Sequence, residues 1–274
     1  MPEMPEVETI RGELDPVLQG RWIEGVRIHK PDIVLGGLTP REFGRRLRGK
    51  SFVRVSRRAK YLLFELDRDT VLQTQLRMTG RFAIGRSLPD EAGFRHVAAE
   101  FRLDDGRTLF YDDIRRLGGF LLLSAQEWDR IAAGLGPEPL GRFSSDDLLR
   151  IFENVRAPIK NVLLDQRRLA GVGNIYASEA LFRAAIDPRR PAGSLTPEEA
   201  RRLHRSVRRV LREALRSGGT TLRDYRAVNG TRGRYQNRLR VYGREGEACP
   251  RCRTTISRIV QAGRSSFLCS GCQS

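Results

Sequence analysis

Apolar and polar positions change period twice along the 274 residues. Val7, Ile10, Leu14, Val17 and Leu18 recur at three- and four-residue intervals and predict a helix opening at Pro5. Proline suits the first helical position, where no N–H is needed, and Glu6 and Glu8 fall in the positively polarised first turn. From about residue 21 to 125 the period shortens to two. Segments 22–28, 60–66, 70–76 and 96–103 alternate, 107–111 and 119–123 continue the pattern, and Asp105-Gly106 suits a tight hairpin turn. Such regular spacing predicts an antiparallel sandwich or barrel.

Residues 134–143, rich in glycine and proline, read as a linker. Beyond it the helical period returns. A helix starts at Asp146 with Ser144 or Ser145 as its cap, another at Pro158, and a third spans Asn174 to Ala185. Thr196-Pro197-Glu198-Glu199 is a capping box that opens a long helix ending at Gly218-Gly219. The fold class is therefore multi-domain α+β: a β-sandwich with a flanking helix over 1–133, helices over 144–235 and a small cysteine module over 236–274.

Charge then narrows the partner. Fifty basic residues stand against 33 acidic ones, a net +17, which predicts salt-sensitive attraction to a polyanion, nucleic acid first. No apolar run reaches the ~20 residues of a membrane helix, and the acidic, proline-bearing start lacks the regions of a signal peptide. A cytoplasmic protein is expected. Only Lys30, Lys50, Lys60 and Lys160 interrupt the use of arginine, so a lysine inside a motif offers a compact charge and a removable proton that arginine does not. Arg201, Arg202, Arg205, Arg208 and Arg209 on the long helix read as a solvated face.

Three stretches carry chemistry. Removal of Met1 would leave Pro2 as a free secondary amine with a pKa of roughly 8, nucleophilic near neutrality, with Glu3 beside it to move protons. This reading requires an accessible nitrogen. Ala170-Gly171-Val172-Gly173-Asn174 feeds two glycines into a helix N-terminus, a geometry that serves either phosphate binding or close helix packing. Cys249, Cys252, Cys269 and Cys272 follow a C-x2-C-x16-C-x2-C pattern that points to one closed, structural zinc site. Two disulfides are the competing reading, disfavoured because nothing indicates export.

In order, these stretches resemble the bacterial formamidopyrimidine-DNA glycosylases. The opening Pro2-Glu3-Met4-Pro5-Glu6-Val7-Glu8-Thr9 is similar to their usual P-E-L-P-E-V-E-T, Gly171 to Glu179 to their helix–two-turns–helix motif, and the cysteines to their zinc-finger β-hairpin. The resemblance spans essentially the whole chain. It implies a monomeric, nucleoid-associated repair enzyme that binds double-stranded DNA in a cleft between domains. Its substrates would be duplexes carrying oxidised bases or abasic sites. It would excise 8-oxoguanine and formamidopyrimidines through a Schiff base and cut the strand by β,δ-elimination.

By residue, the resemblance makes Pro2 the nucleophile, Glu3 its acid–base partner, Glu6 a lesion-pocket residue and Lys60 a phosphate contact that assists elimination. His96, Lys160, Asn174 and Arg264 match phosphate-gripping positions, with Arg264 also counted in the catalytic set, while Met78, Arg115 and Leu117 match the intercalating wedge. Leu117 departs from the family's phenylalanine and stacks less well, which bears on opposite-base preference. Residues 221–235 would hold the damaged base; His29 and His204 carry no site role. Two alternatives remain: an endonuclease VIII-type glycosylase for oxidised pyrimidines, which usually opens P-E-G-P-E, and a non-catalytic DNA-binding paralogue.

Overall fold

The computed structural model describes residues 2–88, 93–222 and 225–274. They divide into two compact units, Met1–Ala133 with Ser217–Arg234, and Gly134–Arg216 with Tyr235–Ser274. In the first unit, helix α1 (Met4–Leu18) precedes β1 (Ile23–Ile28), α2 (Pro40–Leu47), β2 (Phe52–Arg58), β3 (Tyr61–Leu66), β4 (Thr70–Gln75), β5 (Arg81–Gly85), β6 (Val97–Leu103), β7 (Thr108–Asp112), β8 (Gly119–Ser124) and α3 (Ala125–Ala133). The strands form two four-stranded sheets, ordered β1-β6-β7-β5 and β2-β3-β4-β8, with every pairing antiparallel.

Aromatic side chains join the two sheets. Phe120 on β8 meets Phe101 and Tyr111 at centroid separations of 5.2 and 4.9 Å, and Phe64 on β3 meets Phe82 at 5.6 Å. Such pairs contribute about 0.5–1.5 kcal/mol beyond their burial. Val7, Ile10, Leu14 and Leu18 of α1 enter the same core, and α1 packs on β2. The sandwich thus fixes the helix that begins at the chain's start.

Alternation marks six strands but misses two. In β2 only Phe52 and Val55 are buried, Arg54, Arg57 and Arg58 interrupt the pattern, and the register shifts between Phe52 and Arg54. β5 is only five residues long. Helix α2 is also missed, although Thr39 caps it by accepting the Glu42 N–H at 3.2 Å.

The second unit holds α4 (Ser145–Phe152), α5 (Ile159–Leu164), α6 (Asn174–Ala184), α7 (Pro197–Arg216) and the hairpin of β9 (Ser257–Gln261) and β10 (Arg264–Leu268). Ser144 is the cap of α4, exchanging bonds with Asp147, and Thr196 and Glu199 close the box at the start of α7. α7 packs against α4 and α6, and β10 packs against α6. No described helix is long and apolar enough to cross a membrane.

The sequence reading places residues 217–234 with these helices; in the structure they pack with the first unit. Carboxylates of α1 explain the difference. Glu6 accepts the Thr220 N–H at 2.7 Å, and Glu13 accepts those of Val228 and Asn229 at 2.6 and 3.3 Å.

Candidate active site and nucleic-acid interface

Glu3 is the N-cap of α1 and forms a reciprocal capping box with Glu6; the Glu3 N–H donates to Glu6 Oε2 at 2.8 Å. Both carboxylates are 2% exposed. Glu6 therefore bridges the chain's start through Oε2 and the 217–234 loop through Oε1. The loop is built to come this close. Gly219 has φ +83° and a Cβ there would lie 2.9 Å from Glu6 Oε1, while a Cβ on Gly233 would lie 2.3 Å from the Gly219 carbonyl. Tyr225 donates its hydroxyl to the Glu6 carbonyl at 3.4 Å, and burial together with the Glu6 charge pushes its phenol well above the ordinary value. Arg223 and Asp224, inside the stretch expected to hold a damaged base, lie outside the described residues.

Pro2 is buried, contrary to the accessible nitrogen the sequence reading requires. In the full-length chain that nitrogen belongs to the amide bond with Met1, so it is a free amine only once Met1 is removed. Met1 itself lies outside the described residues. Lys60 follows Ala59, at φ +54°, in the turn joining β2 to β3, and is half-buried. Arg57 ties this turn to α1, donating to Glu8 Oε2 at 2.9 Å and to the Ala59 carbonyl at 2.8 Å.

Met78, Arg115 and Leu117 come from two turns, one before β5 and one before β8, that a single carboxylate joins. Asp113 is 1% exposed and accepts from Thr79 Oγ1, from the backbone N–H of Arg115 at 3.2 Å and of Gly118 at 2.9 Å, and from Tyr111 Oη at 3.3 Å. Both turns need glycine, because a Cβ on Gly80 or Gly118 would strike Tyr111 Oη at 2.6 or 2.2 Å. On this knot Met78 and Leu117 stand 41% and 50% exposed, apolar surface that packing does not explain. His96, also exposed, precedes β6 and donates its backbone N–H to Asp112 Oδ2 at 2.5 Å.

In the second unit the glycine turn is laced by Gln166, which accepts the Gly171 N–H at 2.9 Å and donates to the Val172 carbonyl at 2.9 Å. The turn delivers Asn174 to the first position of α6, where Nδ2 donates to the Ser265 carbonyl at 3.0 Å. Lys160 converges on the same place. It is 1% exposed, and Nζ donates to the Ser265 carbonyl at 2.8 Å and to Ser266 Oγ at 2.7 Å. Arg264, their neighbour, is exposed and opens β10 opposite Gln261, one residue past the Ala262-Gly263 turn. Fully buried Glu179 on α6 gathers the backbone N–H groups of Arg240, Val241 and Tyr242 at 2.9–3.0 Å, anchoring the chain entering the cysteine module.

The four Sγ atoms lie within 4.8 Å of one another, with separations of 3.8 Å for Cys249–Cys272 and 3.4 Å for Cys252–Cys269, and all four thiols are free. A tetrahedron of Zn–S bonds of about 2.3 Å has edges of about 3.8 Å, so the set fits one zinc and is far from disulfide length. Hydrogen bonds from Thr254 draw the Cys252 thiol down to about 6, towards the thiolate that binds metal.

Family profiles match along the chain: the formamidopyrimidine-DNA glycosylase N-terminal domain over residues 1–120, the H2TH domain of the same enzymes over 135–226, and the zinc finger found in FPG and IleRS over 246–274. The chain belongs to the formamidopyrimidine-DNA glycosylase family. It is 44% identical to the formamidopyrimidine-DNA glycosylase of Chloroflexus aurantiacus over 100% of this chain and 98% of that protein. The Lactococcus lactis Fpg in complex with abasic-site DNA superposes with a TM-score of 0.90 at 35% identity over 99% of each chain. The MutM (Fpg) protein of Thermus thermophilus does so at 0.87 and 42% over 99% of this chain and 98% of that one.

As in a formamidopyrimidine-DNA glycosylase with a zinc finger, the four cysteines hold one structural zinc; the closed donor set leaves no position for substrate. His29 pairs with Glu100 at 2.7 Å and His204 bonds the Phe143 carbonyl at 2.8 Å, both ordinary packing roles. Sequence reasoning missed Asp113, Gln166 and Glu179. Their signal was faint: Asp113 and Gln166 sit among charged residues and Glu179 ends the recognised motif without standing out in it, and the donors of Asp113 and Glu179 include groups 34 and 62 residues away.

Proposed function

We propose that this chain is a bifunctional DNA glycosylase and abasic-site lyase. It removes 8-oxoguanine and formamidopyrimidines from duplex DNA as a monomer acting on the bacterial nucleoid in the cytoplasm. The observation that carries the reading is the match to formamidopyrimidine-DNA glycosylases over the full chain, with Pro2-Glu3 at its start. The Lactococcus lactis relatives solved with Fapy-dG and abasic-site DNA support the same substrates.

With Met1 removed, the Pro2 amine attacks C1′ of an everted nucleotide. The C1′–N bond to the base breaks, and the base leaves with its electron pair and takes up a proton. Glu3 delivers a proton to O4′ as the sugar opens, leaving an iminium at C1′. The iminium acidifies C2′–H, whose loss expels the 3′ phosphate; a second elimination expels the 5′ phosphate, and water releases Pro2. Lys60 holds phosphate beside the reacting sugar and assists elimination. Glu6 borders the lesion pocket through the loop it pins. Met78 and Leu117 fill the vacated stack, and Arg115 bonds the orphaned base. His96, Lys160, Asn174 and Arg264 take phosphates, with Lys160 and Asn174 also holding the Ser265 carbonyl beside Arg264.

Borohydride reduction tests the chemistry. Processed protein is expected to form a covalent adduct with 8-oxoguanine duplex, and Pro2→Gly or Met1-retaining protein is expected to form none. Binding without an adduct from processed protein would leave the non-catalytic paralogue. Faster release of thymine glycol than of 8-oxoguanine would move the chain to the endonuclease VIII type.

A further inference from the structure

At the C-terminal end of α6 a cavity of about 530 Å³ is lined by Arg183, Arg202, Arg205, Arg209, Arg240 and Arg251. Part of this cluster closes the helix. Arg251 donates to the carbonyls of Phe182 and Arg183 at 3.1 and 3.3 Å with its guanidinium 4.4 Å over the Phe182 ring, and Arg202 donates to the Ala184 carbonyl at 2.6 Å. These bonds satisfy carbonyls that a helix end leaves open. They do not explain the rest.

Among the described residues, the carboxylates paired with the six guanidiniums are Glu213, shared by Arg183 at 2.7 Å and Arg209 at 2.9 Å, and Glu198, 3.7 Å from Arg205. Gathering like charges is unfavourable, and the Arg205 and Arg209 side chains remain 70% and 71% exposed, Arg205 on a carboxylate 3.7 Å away and Arg209 sharing Glu213 with Arg183. The excess is a built positive potential inside a concavity.

We propose that this cavity binds a compact polyphosphate anion, a chain of phosphoryl groups either free or carried by a nucleoside. Guanidinium forks match phosphate oxygens two at a time, and the volume falls within the range of about 300–1,000 Å³ typical of small-ligand sites. A duplex presents its phosphates along a convex rod and suits a concave arginine pocket poorly. The position also separates it from the DNA contacts. Asn174 opens α6 and Ala184 closes it, a rise of about 15 Å at ~1.5 Å per residue. The inference is independent of the glycosylase reading.

The test titrates the zinc-loaded full chain calorimetrically with tripolyphosphate and with ATP at about 0.15 M salt, beside an R205Q/R209Q double variant. One equivalent of tripolyphosphate is expected to bind, at least tenfold more weakly to the variant, with affinity for undamaged duplex changed less than twofold. Tighter ATP than tripolyphosphate binding supports a nucleoside-borne chain, and equal or weaker ATP binding a free one. Unchanged tripolyphosphate affinity in the variant would overturn the proposal. So would a matching loss of duplex affinity, which would assign these arginines to DNA, or equal binding of an Asp/Glu hexapeptide, which would show unselective attraction.

Discussion

The exposed side chains expected to enter DNA depend on a buried residue that never reaches it. Asp113 holds the Met78 turn through Thr79 and the Arg115–Leu117 turn through two backbone N–H groups, so the two turns share one anchor. Asp113→Asn replaces one accepting oxygen with a donor and leaves buried donors facing it. A loss of about 1–3 kcal/mol is expected, read as a lower urea midpoint at unchanged slope. A purely structural defect would end there. If the anchor also positions the wedge, excision should slow by roughly tenfold to a hundredfold. 2-Aminopurine opposite the lesion should then lose its fluorescence change, while affinity for undamaged duplex holds. Normal 2-aminopurine response in folded Asp113→Asn protein would reduce Asp113 to a stabilising residue.

At the scale of elements, what is legible in the sequence is what neighbours in the chain decide. Helices α1 and α7 announce themselves because their stripes and capping residues lie within a few positions of one another. β2 and the 217–234 loop do not, because a bulge breaks the first pattern and Glu6 meets Thr220 across 214 residues. Motif spacing marks the cysteines, Pro2, Glu3, Glu6 and Asn174, but not buried Asp113, whose donors come from two separate turns. Glu199 shows a local cap joined to a distant partner: its carboxylate accepts from Thr196 N and takes a bidentate grip from Arg190. The Arg190 bonds first, then the Thr196 N–H, hold its carboxyl down to about 2. Because the folded value lies below the ordinary one of about 4.3, the stabilisation is complete above that pH and is lost as pH falls towards 2. Glu199→Gln should cost about 1 kcal/mol near neutrality after solvent screening and only a small fraction of that near pH 2. Paired urea titrations at the two pH values check both ends. The finger has no comparable reserve, since its apolar cluster is small, with Val241, Ile256 and Phe267 at its centre. Chelating the zinc should therefore abolish duplex binding while α4 to α7 keep their far-ultraviolet signal; full activity in zinc-free protein would contradict a structural metal.

For the whole molecule the question is how much of a net +17 faces DNA. Each phosphate neutralised contributes about −0.9 to the slope of log K against log salt, so a surplus wholly committed to the duplex would give a slope of about −15. The fold argues for far less. Arg183, Arg190 and Arg209 are held by carboxylates, Arg202 and Arg251 close α6, and the proposed DNA contacts are a limited set. A footprint of about six to ten phosphates predicts a slope between roughly −5 and −9. Arg264→Ala should flatten it by about one while weakening all duplexes alike. The R205Q/R209Q variant removes twice the charge and should leave the slope where it was. Filter-binding isotherms over a range of salt concentrations separate the two ideas: charge acting as a diffuse cloud makes the double variant the more damaging, whereas charge acting through placed contacts makes the single Arg264 substitution so.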